Sequence, residues 1–189
     1  MTYPARYKAE LLNAIDGIDL GRVAEVIRIF QEARSHGWRI FVCGDGPGGT
    51  AAAQQLCDAV KSVSFNRTDR FRVLVLNDQV PRLGLAEGLT LERSLVEQLK
   101  NFAEPGDVMV AVTLSGDSLS VIRAVEYARW IGCNTISIAG FSGGKLASLV
   151  DVSVHIPTTH HGSVEDALSI ICHMIGCYFL DFETTRKVV

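Results

Sequence analysis

Apolar residues recur along the chain in two alternating patterns, one with helical spacing and one in short continuous runs. Residues 8–35 carry apolar side chains three and four positions apart, with an interruption near Gly17, and this pattern predicts two N-terminal helices. Five short apolar runs predict strands at Arg39–Cys43, Arg72–Leu76, Asp107–Thr113, Asn134–Ala139 and Val152–Ile156. Helical stretches follow the strands, and they are predicted at Ala51–Lys61, Thr90–Asn101, a segment ending at Trp130, a short segment Gly143–Val150, and Val164–Phe182.

Strands that alternate with helices and are themselves almost entirely apolar are typical of a parallel sheet covered on both faces. Five such strands in 189 residues predict an α/β fold, a doubly wound open five-stranded parallel sheet with N-terminal helices. The length predicts one domain over 1–189, with an N-terminal helical segment at 1–37 and an α/β core at 38–189. In such sheets, ligands bind beyond the carboxyl ends of the strands.

The final predicted helix is apolar almost all round, which is typical of a helix buried on more than one side. The N-terminal helices also have an apolar face for which the sequence shows no partner. Burial between subunits would cover both surfaces. We therefore predict a closed homo-oligomer in which segment 1–37 takes part in oligomerisation.

Composition narrows the range of partners. A net charge of -3 provides no positive field for nucleic acid or for an anionic membrane surface. The first residues contain no apolar signal-peptide core, and no stretch approaches the ~18 apolar residues of a spanning helix. The five cysteines include no CxxC pair and lie in apolar runs, as buried free thiols in a reducing compartment do. These features predict a cytoplasmic protein with neither a membrane nor a nucleic-acid partner.

A glycine-rich segment, Gly44–Thr50 (GDGPGGT), follows the first predicted strand and matches G-x-G-x-x-G. Small residues allow backbone amides to approach an anion at a helix N-terminus. A dinucleotide site would also need an acidic residue about 20 residues further on. The nearest candidate, Asp78, lies further away, and no GxxxxGK[ST] motif is present. We therefore expect no nucleotide cofactor.

A second polar segment, Thr113–Ser118 (TLSGDS), follows the most apolar predicted strand. It contains three hydroxyl side chains and one glycine, which are Thr113, Ser115, Ser118 and Gly116. Hydroxyls and backbone amides that converge at a helix N-terminus form a neutral cradle for a phosphate. The alternative is that Asp117 and Ser118 are ordinary N-caps. The number of hydroxyls at one strand end favours the phosphate site.

Three sequence segments share their order and character with a known family. They are CGDGPGGTAAAQQL from Cys43, DVMVAVTLSGDSLSVIRAVEYAR from Asp107, and GFSGGKLASLVDVSVHIP from Gly140. Together they resemble the SIS (sugar isomerase) domain family over about Arg39 to Leu180. The chain length and the N-terminal helices are similar to its phosphoheptose isomerase branch. The resemblance implies a flavodoxin-like sheet, a homo-oligomer (commonly a tetramer) with ligand sites between subunits, and isomerisation of sedoheptulose 7-phosphate or a similar phosphosugar.

The resemblance also implies roles for individual side chains. Interconverting a ketose and an aldose phosphate needs a base, together with an acid or a metal at the carbonyl oxygen. The resemblance implies Asp58 and His173 as the acid–base pair. It implies a zinc site built from Gln54, Asp58, Glu165 and His173. It implies phosphate or substrate binding by Gly46, Gly48, Thr50, Thr113, Ser115, Gly116, Ser118 and Glu165.

Three positions depart from the family pattern. Asp58 is one methylene shorter than the glutamate of the family, and Gln54 is a poorer zinc ligand than the family's histidine. Gly48 stands where the family has a phosphate-binding serine, with Pro47 beside it. Either Thr50 or the backbone amide of Gly48 would have to replace that serine.

Alternatives follow from these departures. Without the resemblance, His173 is interpreted as a hydrogen-bonded core histidine and Asp58 as a solvated residue on a helix. His160 and His161 border the predicted pocket, but no ligand partners lie at suitable spacing. The leading prediction is a sugar-phosphate isomerase, supported by His173 and the carboxylates. The alternative is a non-catalytic phosphosugar sensor or an adaptor of the replication-initiator-associating type, which the altered positions favour.

Overall fold

Seven helices and five strands alternate along the part of the chain that the structure describes. A computed structural model describes residues 2–76 and 91–185. The helices are α1 (Tyr3–Asp16), α2 (Leu20–His36), α3 (Gly46–Val63), α4 (Ser94–Phe102), α5 (Leu119–Trp130), α6 (Leu146–Leu149) and α7 (His161–Thr185). The strands are β1 (Arg39–Gly44), β2 (Arg72–Leu76), β3 (Val108–Thr113), β4 (Asn134–Ala139) and β5 (Val152–His155).

The strands form one parallel sheet with the order β2-β1-β3-β4-β5. The predicted α/β class and the five-stranded parallel sheet are therefore confirmed. The strand order reverses between β1 and β3, where Gly44 lies opposite Val112. A reversal of this kind opens a crevice at the carboxyl ends of the two central strands, and ligands bind in such crevices.

Successive side chains of β3 separate the core into two layers. Val108, Val110 and Val112 pack on one face with residues of α1, α2, α3 and α7. Met109 and Ala111 pack on the other face with residues of α4, α5 and α6. All six residues of β3 are buried, as expected for a central strand that is covered on both faces.

Helix α2 belongs to the core of the chain itself. Its buried residues Val23, Val26 and Phe30 lie in the same apolar cluster as α3 and α7, and the Phe30 ring stacks on that of Phe179. The apolar face that the sequence left without a partner is therefore covered largely within the chain. The part that segment 1–37 plays in oligomerisation stays a prediction.

Helix α7 is only partly buried. Leu168, Ile171, Ile175 and Phe179 are fully buried, whereas one stripe that includes His173 is exposed. The 21 residues from 161 to 181 are, by length and composition, apolar enough to cross a membrane, contrary to the expectation from the sequence, because single polar residues interrupt the apolar run. Half of the qualifying window is buried inside the fold, so its apolarity is explained by packing against the sheet and the neighbouring helices.

Several element boundaries differ from the prediction. Helix α3 begins at Gly46 rather than near Ala51, because Gly46 adopts a positive φ of 67° and Pro47 follows in the first helical turn. The segment predicted as a helix from Thr90 begins as a short 3-10 turn at Leu91–Arg93. The predicted loop Asn77–Gly88 lies outside the described residues.

All five cysteines lie in the described residues and are in the thiol form, not in disulfides, and four of them are buried as predicted. Cys177 is the exception, because it lies on the exposed stripe of α7. Burial raises the pKa of the Cys57 thiol and of the Cys172 thiol to about 12. These two side chains therefore stay protonated and act as small apolar core residues.

Candidate functional site

Two helix N-termini open at the carboxyl ends of the central strands β1 and β3. They belong to α3 and α5, whose N-cap residues are Asp45 and Ser118, and neither side chain caps its own helix. The Asp45 amide donates to the Val112 carbonyl at 3.2 Å, which ties the first turn of α3 to the end of β3. Two uncapped helix ends in one crevice form a concentration of backbone donors that suits an anion.

Thr113 lies at the end of β3, at the base of the segment that was predicted to bind phosphate. The residue is fully buried, and its Oγ1 atom has no hydrogen-bond partner among the described residues. A buried hydroxyl without a partner is rare and costs free energy, so it requires an explanation. Binding of a ligand that accepts a hydrogen bond from this hydroxyl would explain it.

The loop Thr113–Ser118 is held in shape by the loop that follows β4. The Lys145 amide donates to Asp117 Oδ1 at 2.9 Å, and the Leu146 amide donates to the Gly116 carbonyl at 3.2 Å. Gly116 has a φ of 78°, and an added Cβ would overlap the Gly143 carbonyl oxygen. Asp117 therefore connects the two loops through this hydrogen bond and does not cap α5. The alternative that Asp117 is an ordinary N-cap is wrong.

The hydroxyls of the loop have weak partners of their own. The Asp117 amide donates to Ser115 Oγ at 3.3 Å, and Ser118 Oγ lies 3.3 Å from Ser120 Oγ. Ser115 and Ser118 are both half-buried. Both distances are long for hydrogen bonds, so a stronger acceptor can replace these contacts at small cost.

Glu165, in the first turn of α7, packs against the first turn of α3. An added Cβ at Gly48 would lie 2.4 Å from both Cγ and Oε1 of Glu165, so a larger residue at this position would displace the Glu165 side chain. His161 Nδ1 lies 3.8 Å from Oε1 on the other side. The predicted substrate-binding residues Gly48 and Glu165 are thus neighbours. Gly46 lies two residues earlier, and Thr50 is exposed on α3.

The predicted acid–base residues lie on an outer face formed by α3 and α7. Gln54 Nε2 donates to Asp58 Oδ1 at 2.9 Å, which confirms that these two residues share a helix face. His173 is exposed, and its Nε2 atom lies 2.5 Å from Gln55 Nε2. The interpretation of His173 as a core histidine is therefore wrong.

Gln55 is a further candidate site residue, which the sequence motifs did not indicate. Helix α3 turns Gln55, rather than Gln54, toward α7, and the two helices approach closely where an added Cβ on Gly176 would overlap Ala59 Cβ. Gly176 is the residue from which this contact could have been predicted, because a glycine inside a helix often marks a close approach of two helices.

The four residues implied as zinc ligands do not come together within one chain. Within the described parts of the chain, no group of three or more His, Cys, Asp or Glu side chains is placed to hold a metal ion. Gln54 bonds Asp58, His173 faces Gln55, and Glu165 packs against Gly48. The donor set of a single chain therefore does not fit a zinc site.

His160 contacts residues of α1 and of the first turn of α7. Its Nδ1 atom lies 3.2 Å from the Ser163 amide and 3.1 Å from Ser163 Oγ, and its ring packs edge-on against Tyr7. Tyr7 donates to Asp166 Oδ2 at 2.7 Å, and this hydrogen bond raises the pKa of Tyr7 to about 12. These contacts fasten α1 to the start of α7 and so hold Glu165 in place.

The family model of the SIS domain matches residues 5–140, which is more than half of the chain. The chain belongs to the SIS domain family. The resemblance seen in the sequence motifs is thereby confirmed, and both predicted ligand loops lie inside the matched region up to Gly140.

Named relatives of this SIS domain are phosphoheptose isomerases. The phosphoheptose isomerase of Geotalea daltonii is 26% identical over 154 residues, which cover 82% of this chain and 80% of that protein. A probable phosphoheptose isomerase of Thermoplasma volcanium is 27% identical over 168 residues, covering 86% and 85% of the two chains. The SIS domain is thus phosphoheptose isomerase-like at modest identity.

The solved structure of a phosphoheptose isomerase from Neisseria gonorrhoeae superimposes with a TM-score of 0.82 at 21% identity. The match covers 93% of this chain and 95% of that one. At this identity the likeness establishes the fold, and it extends over nearly the whole of both chains.

Proposed function

We propose that this SIS domain is an enzyme that interconverts a ketose phosphate and an aldose phosphate, with sedoheptulose 7-phosphate or a similar phosphosugar as its substrate. The observation that carries the proposal is the buried Thr113 hydroxyl at the strand-order reversal, between two uncapped helix ends, for which the described residues supply no hydrogen-bond partner. The named relatives favour an isomerase over a non-catalytic sensor or adaptor.

The phosphate binds in the loop Thr113–Ser118 in this proposal. The amides at the start of α5 and the hydroxyls of Ser115 and Ser118 donate to the phosphate oxygens. Thr113 Oγ1 is shielded from solvent, so its contact with the phosphate requires a side-chain rotation or a small shift of the loop. Gly116 keeps the loop backbone free of a side chain that would collide with Gly143.

The isomerisation moves one proton between neighbouring carbons. A base removes the proton from the carbon next to the carbonyl while an acid protonates the carbonyl oxygen, which gives an enediol. Return of a proton to the former carbonyl carbon, with loss of the hydroxyl proton on its neighbour, completes the interconversion. We assign these transfers to Asp58 and His173, with Gln54 orienting Asp58 and Gln55 orienting His173.

The distance along α3 places a constraint on the substrate. Gln55 lies nine residues after Gly46, which is a rise of about 13 Å on a regular helix. Either an open-chain sugar phosphate lies along α3 from the phosphate loop to His173, or the His173 that serves a given loop belongs to a second copy of the chain. The first arrangement favours a long sugar, and the second requires a site that two copies of the chain share.

We therefore propose a homo-oligomer that covers the outer face of α3 and α7, in a cytoplasmic setting that suits five cysteines in the thiol form. Gln54, Asp58, His173 and Cys177 are exposed on this face, and Phe65 just after α3 is 74% exposed. We expect light scattering to give a multiple of 20.6 kDa, with a tetramer as the predicted state. We further expect Phe65→Ser to shift the mass toward the monomer, whereas Trp130→Ser on α5, equally exposed, leaves it unchanged.

The enzymatic proposal is tested by an isomerisation assay with sedoheptulose 7-phosphate. We expect turnover by the purified protein and its loss in Asp58→Asn. The assay is run after chelation, with added zinc, and alongside a determination of metal content. Because the donor side chains of one chain do not fit a zinc site, no step of the proposed reaction uses a metal. Turnover that depends on zinc would indicate that two copies of the chain contribute ligands.

Absence of turnover with sedoheptulose 7-phosphate and with shorter ketose phosphates would contradict the enzymatic proposal. If those compounds still raised the melting temperature, the phosphate loop would stand and the protein would be a phosphosugar sensor or adaptor.

A further inference from the structure

The phosphate loop is supported on one side by the loop that follows β4, residues 140–145, which we call the supporting loop. At its start, the Gly140 amide donates to the Leu114 carbonyl at 2.9 Å. Further along, an added Cβ at Gly144 would lie 2.5 Å from the Ser115 carbonyl oxygen, so the two backbones pack directly against each other. The position of the phosphate loop therefore depends on the shape of the supporting loop.

Phe141, the second residue of the supporting loop, has an unfavourable backbone conformation. Its φ is 52°, in the left-handed region that bulky residues rarely adopt. It belongs to a turn that the Gly143 amide closes by donating to the Gly140 carbonyl at 2.8 Å. A turn with a positive φ at its second residue normally has glycine there. A phenylalanine keeps this conformation only where the surrounding structure enforces it.

Two hydrogen bonds hold the backbone of Phe141. Its amide donates to the Thr158 carbonyl at 3.0 Å, and its carbonyl oxygen accepts from His155 Nε2 at 2.8 Å. The ring nitrogen is the donor, since a carbonyl oxygen only accepts. His155 is the last residue of β5 and lies opposite Ala139, the last residue of β4. Its side chain therefore reaches the supporting loop from the neighbouring strand, and an added Cβ at Gly143 would lie 3.8 Å from its Cδ2 atom.

We propose that His155 is a positioning residue for phosphate binding, because its hydrogen bond to Phe141 keeps the supporting loop in the shape on which the phosphate loop rests. The inference rests on the proposed function, since it takes Thr113–Ser118 as the site of the phosphate. Without this bond, Phe141 relaxes toward a negative φ, and the glycines that pack on the phosphate loop move with it. The amides and hydroxyls of the phosphate loop then no longer converge on one phosphate, and small misplacements of this kind weaken binding.

The test measures the affinity for sedoheptulose 7-phosphate by titration calorimetry. In His155→Ala we expect the dissociation constant to rise about three- to tenfold, which corresponds to the loss of one hydrogen bond. His155 is exposed, so the truncation leaves no cavity in the core. In His155→Gln we expect an affinity within about twofold of that of the unaltered protein, because the glutamine amide nitrogen extends about as far from the backbone as Nε2 and also donates.

His36 supplies the matched control. It is exposed at the end of α2, and its Nδ1 atom lies 2.8 Å from the Glu32 carbonyl oxygen. His36→Ala therefore removes a contact of the same kind and length, but between residues of one helix rather than at the supporting loop. This variant should bind the phosphosugar like the unaltered protein.

A second comparison tests whether His155 acts through the backbone of Phe141. Glycine adopts a positive φ without strain, so Phe141→Gly removes the need for an enforcing hydrogen bond. In that background, His155→Ala should change the dissociation constant by less than about twofold. A loss of affinity equal to that of His155→Ala alone would contradict a role through Phe141.

Calorimetry separates this inference from the proposed function, because it needs no turnover. Unchanged affinity in His155→Ala, or failure of His155→Gln to retain binding, would overturn the role of His155 while leaving the phosphate site intact. Absence of binding to the unaltered protein would overturn both. Should His155→Ala fail to fold, His155→Asn, whose amide is too short to reach the Phe141 carbonyl, must bind more weakly than His155→Gln, and equal affinities of these two variants would contradict the inference.

Discussion

Replacing His173 with alanine is expected to lower kcat by about 10²–10⁴-fold while leaving sugar-phosphate affinity within about threefold, because general acid–base catalysis contributes that much and the phosphate loop lies elsewhere. His173 is exposed on α7, so the truncation creates no core cavity and should leave the melting temperature almost unchanged. Steady-state kinetics and calorimetry on the same preparation measure the two effects. Full activity in His173→Ala would remove this residue from the mechanism.

Matched variants on the same two helices separate chemistry from surface disturbance. Cys177→Ser alters the exposed residue one turn after His173 and should retain activity. Gln55→Ala removes the partner of His173 Nε2, so we expect a smaller loss of kcat than in His173→Ala. An equal loss in Cys177→Ser would mean that the outer face of α7 matters for assembly rather than for proton transfer.

The sequence was sufficient for the fold because the central strands are unusually apolar. The run that became β3 is buried at every position, and such runs between helical stretches leave few alternatives to a doubly wound parallel sheet. The strand order places Gly44 and Thr113 at the reversal between β1 and β3, where the two glycine- and serine-rich loops had suggested a ligand site.

Side-chain direction on α3 was harder to predict, since a shift of one residue rotates a helix position by about 100°. The family resemblance implied that Gln54 shares a zinc site with Glu165 and His173 of the final helix, yet packing at Ala59 and Gly176 turns Gln55 toward His173. Helix–helix contacts of this kind depend on residues distant in the sequence. The same limit concealed the contact between Gly48 and Glu165, because the space that a missing side chain leaves is visible only in three dimensions.

Replacing Thr113 with valine is expected to have opposite effects on stability and on phosphosugar binding. Thr113→Val keeps the shape of the side chain and removes a buried hydroxyl that has no hydrogen-bond partner within residues 2–76 and 91–185. We expect the free energy of unfolding to stay equal or rise by about 1 kcal/mol, since the desolvation cost of an unsatisfied donor disappears. Affinity for sedoheptulose 7-phosphate should fall about tenfold or more, because a hydrogen bond to a charged acceptor is lost.

Thr135 supplies the matched control on the adjacent strand. It is equally buried, but its Oγ1 donates to Asp151 Oδ2 at 2.7 Å and accepts from the Asp151 amide at 3.1 Å. Thr135→Val should therefore destabilise the protein by about 1–3 kcal/mol and leave phosphate affinity unchanged. Denaturant unfolding measures the stability of both variants, and calorimetry measures their affinity for the phosphosugar. If the Thr113 hydroxyl serves a ligand, Thr113→Val weakens binding without lowering stability. Unchanged affinity in that variant would contradict a phosphate site at the end of β3.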